Sequence, residues 1–286
     1  MAKPKDFGAF FAGLQAEASD HQAAHVKERV ARGLSPATGT GRPLPRIIFE
    51  RPTEEELGEI ECQSPKYAGL GVTQAIVAAT SDRDLAVLDR LPLGASRFGG
   101  LPDLPPDVAW PEIEGKKLPF LAQINLADLP TSNEPALPPD GWLYAFGRFD
   151  NDHEDQPVVV FHHRGPAANL VRAPRPAKDE IWPDWMNISV YEVVPLTLRP
   201  DPERAGKEKT GRKSAGWFFG EDDGFGAAGE MADDAFMDGD DWINLLVLRS
   251  VGSMQWSDAG YLYLLIRQSD LAKADFSRVF GAMRSS

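Results

Sequence analysis

Residues 96–106 read Ser96-Arg97-Phe98-Gly99-Gly100-Leu101-Pro102-Asp103-Leu104-Pro105-Pro106, and residues 118–126 read Leu118-Pro119-Phe120-Leu121-Ala122-Gln123-Ile124-Asn125-Leu126. The first run, called the central ribbon below, predicts a rigid, non-helical segment, because glycines permit unusual backbone angles and prolines hold their neighbours extended. The second run predicts a buried strand with the amide of Gln123 in its interior. A buried amide needs hydrogen-bond partners, which irregular backbone supplies. We therefore expect Gln123 to brace the ribbon; a ligand groove lined by the ribbon is the alternative.

Two pairs of apolar strands share one pattern along the chain. In each pair, an aliphatic strand (121–126 or 245–248) is followed by a Gly-aromatic-Leu-Tyr strand (141–146 or 260–265). We interpret this as a weak internal duplication, with chance similarity between two common strand patterns as the alternative. Residues 157–162 predict the hairpin partner of the strand at 141–147. The expected fold class is α+β and β-rich, with two similar antiparallel β units packed together.

The N-terminal part predicts an amphipathic helix at 6–32, since apolar side chains recur there at near-helical spacing. Gly33 and Pro36 end this helix, and residues 35–45 have the composition of a linker. The expected organisation is therefore a helix and linker at 1–45 and one domain at 46–286. A signal peptide is the alternative for the first residues, because lysines precede an apolar run. Near the other end, residues 268–276 predict a short helix with Ser269 as its cap.

Composition indicates an acidic protein of a reducing compartment. The 286 residues include 43 Asp and Glu against 30 Lys and Arg, which gives a net charge of −13. This charge argues against nucleic acid as a partner and favours a basic protein partner. Cys62 is the single cysteine, so an intrachain disulfide is impossible, and we expect a cytoplasmic location. No apolar run is long enough to cross a bilayer, so no membrane partner is expected.

Charge is concentrated in two segments. Residues 199–213 are rich in Lys and Arg, whereas residues 221–241, called the acidic segment below, carry nine Asp and Glu and no Lys or Arg. Residues 224–229 match the letters of a dinucleotide fingerprint, but the carboxylates on both sides would repel a pyrophosphate. The spacing of the acids does not fit an EF-hand. We therefore predict no cofactor and no specific metal site, with adventitious cation binding as the alternative.

Two motifs resemble a known family. The first is Phe98-Gly99-Gly100-Leu101-Pro102 with the strand at 120–126, and the second is Gln255-Trp256-Ser257-Asp258-Ala259-Gly260. Over residues 85–149 and 240–280 the chain is similar to the YwqG-like family, catalogued as a domain of unknown function, DUF1963. The resemblance implies a mixed, β-rich fold and no known catalytic residues. The chain departs from the family's usual Gly-Pro/Tyr-Pro segment, where it carries Trp217-Phe218-Phe219-Gly220.

Candidate binding residues come from the two motifs and their surroundings: Arg97, Asp103, Trp110, Gln123, Trp256 and Asp258. Because no catalytic constellation accompanies the many acids, we expect a non-catalytic cytoplasmic binding protein. Some relatives look like neighbours of secreted bacterial toxins, so the resemblance suggests a toxin-neutralising, immunity-like role through the acidic segment. The alternatives are a small-ligand sensor or a hydrolase-like enzyme near Gly99–Pro106. Such an enzyme would use Asp103, Asp258 or a histidine as acid or base.

Overall fold

The computed structural model describes residues 46–53, 55–56, 83–130, 137–149, 157–184, 186, 188–200, 214–219, 242–256 and 260–284. The predicted N-terminal helix at 6–32, the linker and the acidic segment lie outside these residues. None of the helices in the described ranges is long and apolar enough to span a membrane.

The described residues form short strands and few helices. The strands are β1 (Ile47–Glu50), β2 (Arg97–Phe98), β3 (Asp103–Leu104), β4 (Glu112–Ile113), β5 (Lys116–Lys117), β6 (Phe120–Asn125), β7 (Trp142–Gly147), β8 (Val158–His163), β9 (Val171–Arg172), β10 (Val194–Pro195), β11 (Thr197–Pro200), β12 (Ser214–Phe218), β13 (Trp242–Arg249), β14 (Tyr261–Arg267) and β15 (Phe280–Arg284). The α-helices are α1 (Arg83–Arg90) and α2 (Gln268–Leu271), and single 3-10 turns lie at Leu126–Asp128 and Ala167–Asn169.

The strands build two main antiparallel sheets. Sheet 1 is six-stranded with the order β11-β1-β12-β13-β14-β15, and sheet 2 is five-stranded with the order β10-β2-β6-β7-β8. Strands β12 to β15 form an antiparallel meander in sheet 1, and β2, β6, β7 and β8 form one in sheet 2. Two small pairs, β3 with β9 and β4 with β5, complete the described strands. The β-rich fold class is thus confirmed, and the internal duplication stays a prediction.

The chain passes from sheet 2 to sheet 1 between β10 and β11. Val194–Pro195 forms the edge strand β10 of sheet 2, and Thr197–Pro200 forms the edge strand β11 of sheet 1. Leu196 alone separates them, and its N–H donates to the Ser96 carbonyl at 3.0 Å. β1 inserts between β11 and β12, antiparallel to both. Sheet 1 therefore combines strands that lie far apart in the sequence.

The two sheets share one hydrophobic core. Apolar side chains of both sheets, among them Phe49, Phe98, Ile124 and Leu264, belong to a single buried cluster. Phe49 of β1 and Phe98 of β2 meet edge to face, with ring centroids 5.6 Å apart. This contact ties sheet 1 to the first residues of the central ribbon.

A second cluster covers the outer face of sheet 2. Side chains alternate across β7, so that Leu143 and Ala145 face the shared core while Trp142, Tyr144 and Phe146 lie on the outer side. The outer cluster also contains side chains of α1 and of the central ribbon. The ribbon is therefore packed as a layer over sheet 2.

The central ribbon is non-helical, as predicted. Gly99 and Gly100 have φ of 64° and 73°, a region in which glycine avoids the clash that a side chain would cause. The Gly99 N–H donates to the Leu121 carbonyl at 3.0 Å, and the Gly100 N–H donates to the Tyr191 carbonyl at 2.9 Å. The two glycines thus turn the chain from β2 into the ribbon between two fixed acceptors.

The helix predicted at 268–276 is shorter than expected. α2 ends at Leu271, and Ala274 adopts a φ of 54°, through which a right-handed helix does not continue. The residue at the N-cap is Arg267, so Ser269 is not the cap. The physical reason is that β14 runs directly into α2 and places the first helical residue earlier than the capping pattern indicated.

Candidate functional site

The most polar part of the described core is centred on Asp103, the first residue of β3. Its side chain is completely buried. Oδ2 accepts hydrogen bonds from the Gly94 N–H and from Nη1 of Arg97, both at 2.9 Å, and from Nε2 of Gln123 at 3.2 Å. Oδ1 accepts from Nε of Arg172, also at 2.9 Å. We call Asp103, Arg97, Gln123, Arg172 and Tyr144 the Asp103 cluster.

Arg97 is held by backbone carbonyls as well as by Asp103. It lies on β2, six residues before Asp103, and its side chain is fully buried. Nη1 also donates to the Ala95 carbonyl at 3.1 Å, and Nη2 donates to the Leu101 carbonyl. The turn at the two glycines brings β2 and β3 close enough for this ion pair. Arg97 therefore fastens both ends of the ribbon's tight turn.

Gln123 braces the ribbon, as the sequence predicted. It lies on β6, where the register places it opposite Arg97 of β2. Its Oε1 accepts from the Asp103 N–H at 2.8 Å, and its Nε2 donates to the Ala95 carbonyl at 3.1 Å. The amide thus supplies both a donor and an acceptor to irregular backbone that sheet 2 leaves unpaired.

Arg172 and Tyr144 complete the cluster, and reading the sequence missed both. Arg172 of β9 lies opposite Asp103 of β3, and it also donates to the Leu88 carbonyl at 2.6 Å and the Leu91 carbonyl at 3.3 Å. The Tyr144 hydroxyl donates to the Asp103 carbonyl at 2.6 Å. The Asp103–Arg172 pair is 69 positions apart. No local pattern signals a pairing of that span.

Electrostatics keep the carboxylate of Asp103 charged. Burial raises the pKa of Asp103, but the nearby Arg97 and Arg172 and the Gly94 N–H together lower it by more. The pKa of Asp103 therefore lies below its ordinary value. Burial lowers the pKa of Arg97, and Asp103 opposes this change. Burial raises the pKa of Tyr144, and the Asp103 charge adds to the increase. The cluster therefore holds two guanidinium groups, one carboxylate and a neutral phenol.

This arrangement can position backbone, but it leaves Asp103 unsuited to proton transfer. Its two oxygens accept at least four hydrogen bonds, and solvent does not reach it. A general acid or base needs a free lone pair or proton within reach of a substrate. Only Arg172, with 23% of its side chain exposed, connects the cluster to the surface.

The two candidate tryptophans lie in the hydrophobic clusters of the described core. Trp110 is buried, and its Nε1 donates to the Leu118 carbonyl at 2.7 Å. Trp256 lies in the shared core, with its ring 5.2 Å from Phe149 and 6.0 Å from Tyr191. Asp258 lies outside the described residues. The structure thus brings together Arg97, Asp103 and Gln123, whereas both tryptophans serve as core side chains.

A second buried acid lies beside Tyr191. Oδ1 of Asp184 accepts from the N–H groups of Met186 and Ile188, at 2.9 and 2.8 Å. Burial raises the pKa of Asp184 despite these bonds. Burial and the neighbouring Asp184 raise the pKa of Tyr191 well above its ordinary value. Asp184 therefore responds to pH with the opposite sign to Asp103. Across the described ranges, no three His, Cys, Asp or Glu side chains come together as a metal site.

Acidification is expected to remove the stabilisation that Asp103 provides. Since its folded-state pKa is lowered from 3.8, its contribution is fully present above that value and is lost as the pH falls through the lower, folded-state pKa. The pKa of Asp184 is raised in the folded protein, so its protonated form is favoured there. Asp184 therefore stabilises the folded state below pH 3.8, and this stabilisation is lost as the pH rises through the raised pKa. Urea midpoints measured between about pH 6 and pH 2.5 should show the loss below pH 4.

Two substitutions separate these contributions. Asp184→Asn keeps the acceptor for Met186 and Ile188 and should leave the loss below pH 4 in place. Asp103→Asn already lacks the charge, so its midpoint should fall less over the same range. A wild-type midpoint that stays constant below pH 4 would contradict the assignment.

Two antiparallel sheets with a shared core, and a ribbon fastened over one of them by a buried ionic cluster, define a β-rich protein with few helices among the described residues. The chain belongs to the DUF1963 family, a domain of unknown function, whose model matches residues 96–283. The match begins at Ser96, the first residue of the central ribbon, and includes every member of the Asp103 cluster. No curated protein matches the chain.

Proposed function

We propose that this chain is a non-catalytic binding protein that presents its acidic segment to a basic protein partner. Neutralisation of a basic bacterial toxin is the immunity-like form of this role. The observation that carries the proposal is the state of Asp103, the carboxylate of the ribbon that a hydrolase would use. It is buried, charged and fully hydrogen-bonded, which supports a scaffold role for the ribbon.

The described strands that flank the acidic segment in the sequence support its use as a contact surface. β12 and β13 are neighbours in sheet 1, with Phe218 opposite Leu246. The Phe219 N–H donates to the Leu245 carbonyl at 3.4 Å, two residues before the acidic segment begins in the sequence. Trp242 resumes the sheet directly after it. The acidic segment therefore lies, along the sequence, between two strands that are neighbours in sheet 1, and its nine carboxylates would attract a basic partner.

Charge-matched variants test the proposal. In the first, four acids of the acidic segment are changed: Asp233→Asn, Asp234→Asn, Asp240→Asn and Asp241→Asn. In the control, four exposed acids elsewhere are changed: Asp89→Asn, Asp107→Asn, Glu114→Gln and Asp179→Asn. Both variants lose four negative charges, so their net charges are equal. Each is immobilised, and partners from the host lysate are captured at low salt and identified by mass spectrometry.

We expect wild type and control to capture the same basic protein. The segment variant should bind that purified protein at least about tenfold more weakly, because close charge pairs across an interface are lost. Binding by the wild type should also weaken as salt is raised. Equal binding by the two variants, or the absence of a basic protein from the wild-type eluate, would contradict the proposal.

A further inference from the structure

Strand β8 is an edge of sheet 2 that differs from the other edges of the two main sheets. β8 pairs with β7 on one side, and no described strand pairs with its other side. Its six residues are Val158, Val159, Val160, Phe161, His162 and His163. The absence of Lys, Asp, Glu, Pro and Gly from this run is unusual, because natural edge strands carry such residues to prevent pairing with other chains.

The other three edges of the two main sheets carry these protective residues. β10 has two residues and contains Pro195. β11 ends in Arg199-Pro200, and β15 contains Gly281 and Arg284. An unprotected strand of six residues beside three protected edges indicates that β8 is covered in the working protein.

The hydrogen-bond pattern shows which backbone groups of β8 face outward. The Arg148 N–H donates to the Pro157 carbonyl at 3.0 Å, so this pair belongs to the hydrogen-bonded set of the β7–β8 ladder. Hydrogen-bonded and non-hydrogen-bonded pairs alternate in an antiparallel ladder. Val159, Phe161 and His163 therefore bond to β7, whereas the N–H and C=O groups of the intervening residues, Val158, Val160 and His162, point away from it.

We propose that two copies of this chain pair through β8, antiparallel and about a two-fold axis at Val160. In this register Val160 faces its own copy, and Val158 faces His162 of the other copy. Each of these three pairs exchanges two backbone bonds, about six in total. The same residues serve on both sides, as a two-fold interface requires. The proposal is independent of the acidic segment and of any other partner.

Side chains favour a second copy as the occupant. In the proposed register Phe161 lies beside Val159 of the other copy, on the outer face of sheet 2. Aromatic and β-branched residues are favourable neighbours across strands. Phe161 is already stacked on Tyr144 and Phe146, with centroids 5.0 and 6.0 Å away. β8 carries no Lys, Arg, Asp or Glu, so two copies of a chain with net charge −13 meet without like charges directly opposite.

The experiment compares the mass of the full chain in solution for the wild type and two variants. Val158→Pro removes an outward N–H without touching the β7 ladder, and proline is tolerated at the first residue of a strand. Val158→Ala is the matched control, because it also removes the valine side chain but keeps the backbone N–H of residue 158. Sedimentation velocity should give twice the chain mass of 31.3 kDa for the wild type and for Val158→Ala. Val158→Pro should weaken dimerisation about tenfold or more.

Amide hydrogen exchange, resolved residue by residue, tests the register. The N–H groups of Val158, Val160 and His162 should exchange more slowly as protein concentration rises, while those of Val159 and Phe161 should not change. A monomeric mass for the wild type at the highest soluble concentration would overturn the proposal. A dimer that Val158→Pro leaves unaltered, or protection without this alternation, would also overturn it.

Discussion

Changing Asp103 to asparagine should destabilise the protein by about 3–5 kcal/mol, because Arg97 would remain buried without its counter-charge. Arg97 is completely buried, and Asp103 is its partner in the ion pair, at 2.9 Å. The substitution also weakens acceptors that hold the Gly94 N–H and Arg172. Urea unfolding followed by circular dichroism would measure the free energy of unfolding from the midpoint and slope.

Asp107→Asn is the matched control, four residues further along the chain and exposed to solvent. It should change the free energy of unfolding by less than about 0.5 kcal/mol. The double variant Arg97→Met with Asp103→Asn should be less destabilised than the sum of the two single variants, because the buried uncompensated charge is gone. If Asp103→Asn and Asp107→Asn were equally stable, the Asp103 cluster would not hold the ribbon.

Changing Gly99 to alanine should cost at least about 3 kcal/mol, since the new side chain has no room and the backbone cannot relax. A Cβ at Gly99 would lie 2.1 Å from the Glu192 carbonyl oxygen. That backbone is fixed, because the Glu192 N–H donates to Oγ of Ser253 at 2.7 Å and β10 follows two residues later. The midpoint of urea unfolding would again report the loss.

Gly115→Ala isolates the contribution of the backbone angle. Gly115 has a φ of 76°, close to that of Gly99, but nothing lies within 4 Å of the place where its Cβ would be. This variant should lose only about 1–2 kcal/mol, the usual penalty for a side chain in the left-handed region. Similar losses at the two glycines would show that the close approach to Glu192 is not what constrains residue 99.

Local chemistry explains which parts of the cluster could be predicted. The amide of Gln123, in the middle of the buried strand at 120–126, requires polar partners, and the ribbon beside it is the nearest source of unpaired backbone groups. That requirement led to Gln123, whereas Asp103 is a candidate because it lies in the ribbon itself. Arg172 contacts Asp103 across a long separation in the sequence. Its pairing depends on how β9 returns to β3 after sheet 2 is complete, which no short stretch of sequence specifies.

The two candidate tryptophans show how a motif can reflect packing. Trp110 and Trp256 lie in distinctive motifs, and for that reason they were candidates for binding. In the structure their rings lie in the two core clusters, where each large aromatic side chain buries a large apolar area. A motif that specifies packing and one that specifies a binding site contain the same residue types. Burial, which the sequence does not state for a single residue, decides between them.

The place of β1 in sheet 1 bears on where the independently folding unit begins. β1 lies between β11 and β12, yet its residues, 47–50, precede the family match at 96–283. A fragment trimmed to the matched residues would lose an interior strand, would leave β11 and β12 with two new unpaired edges, and would remove Phe49 from the shared core. The unit that folds is therefore longer at its amino end than the unit that sequence similarity recognises.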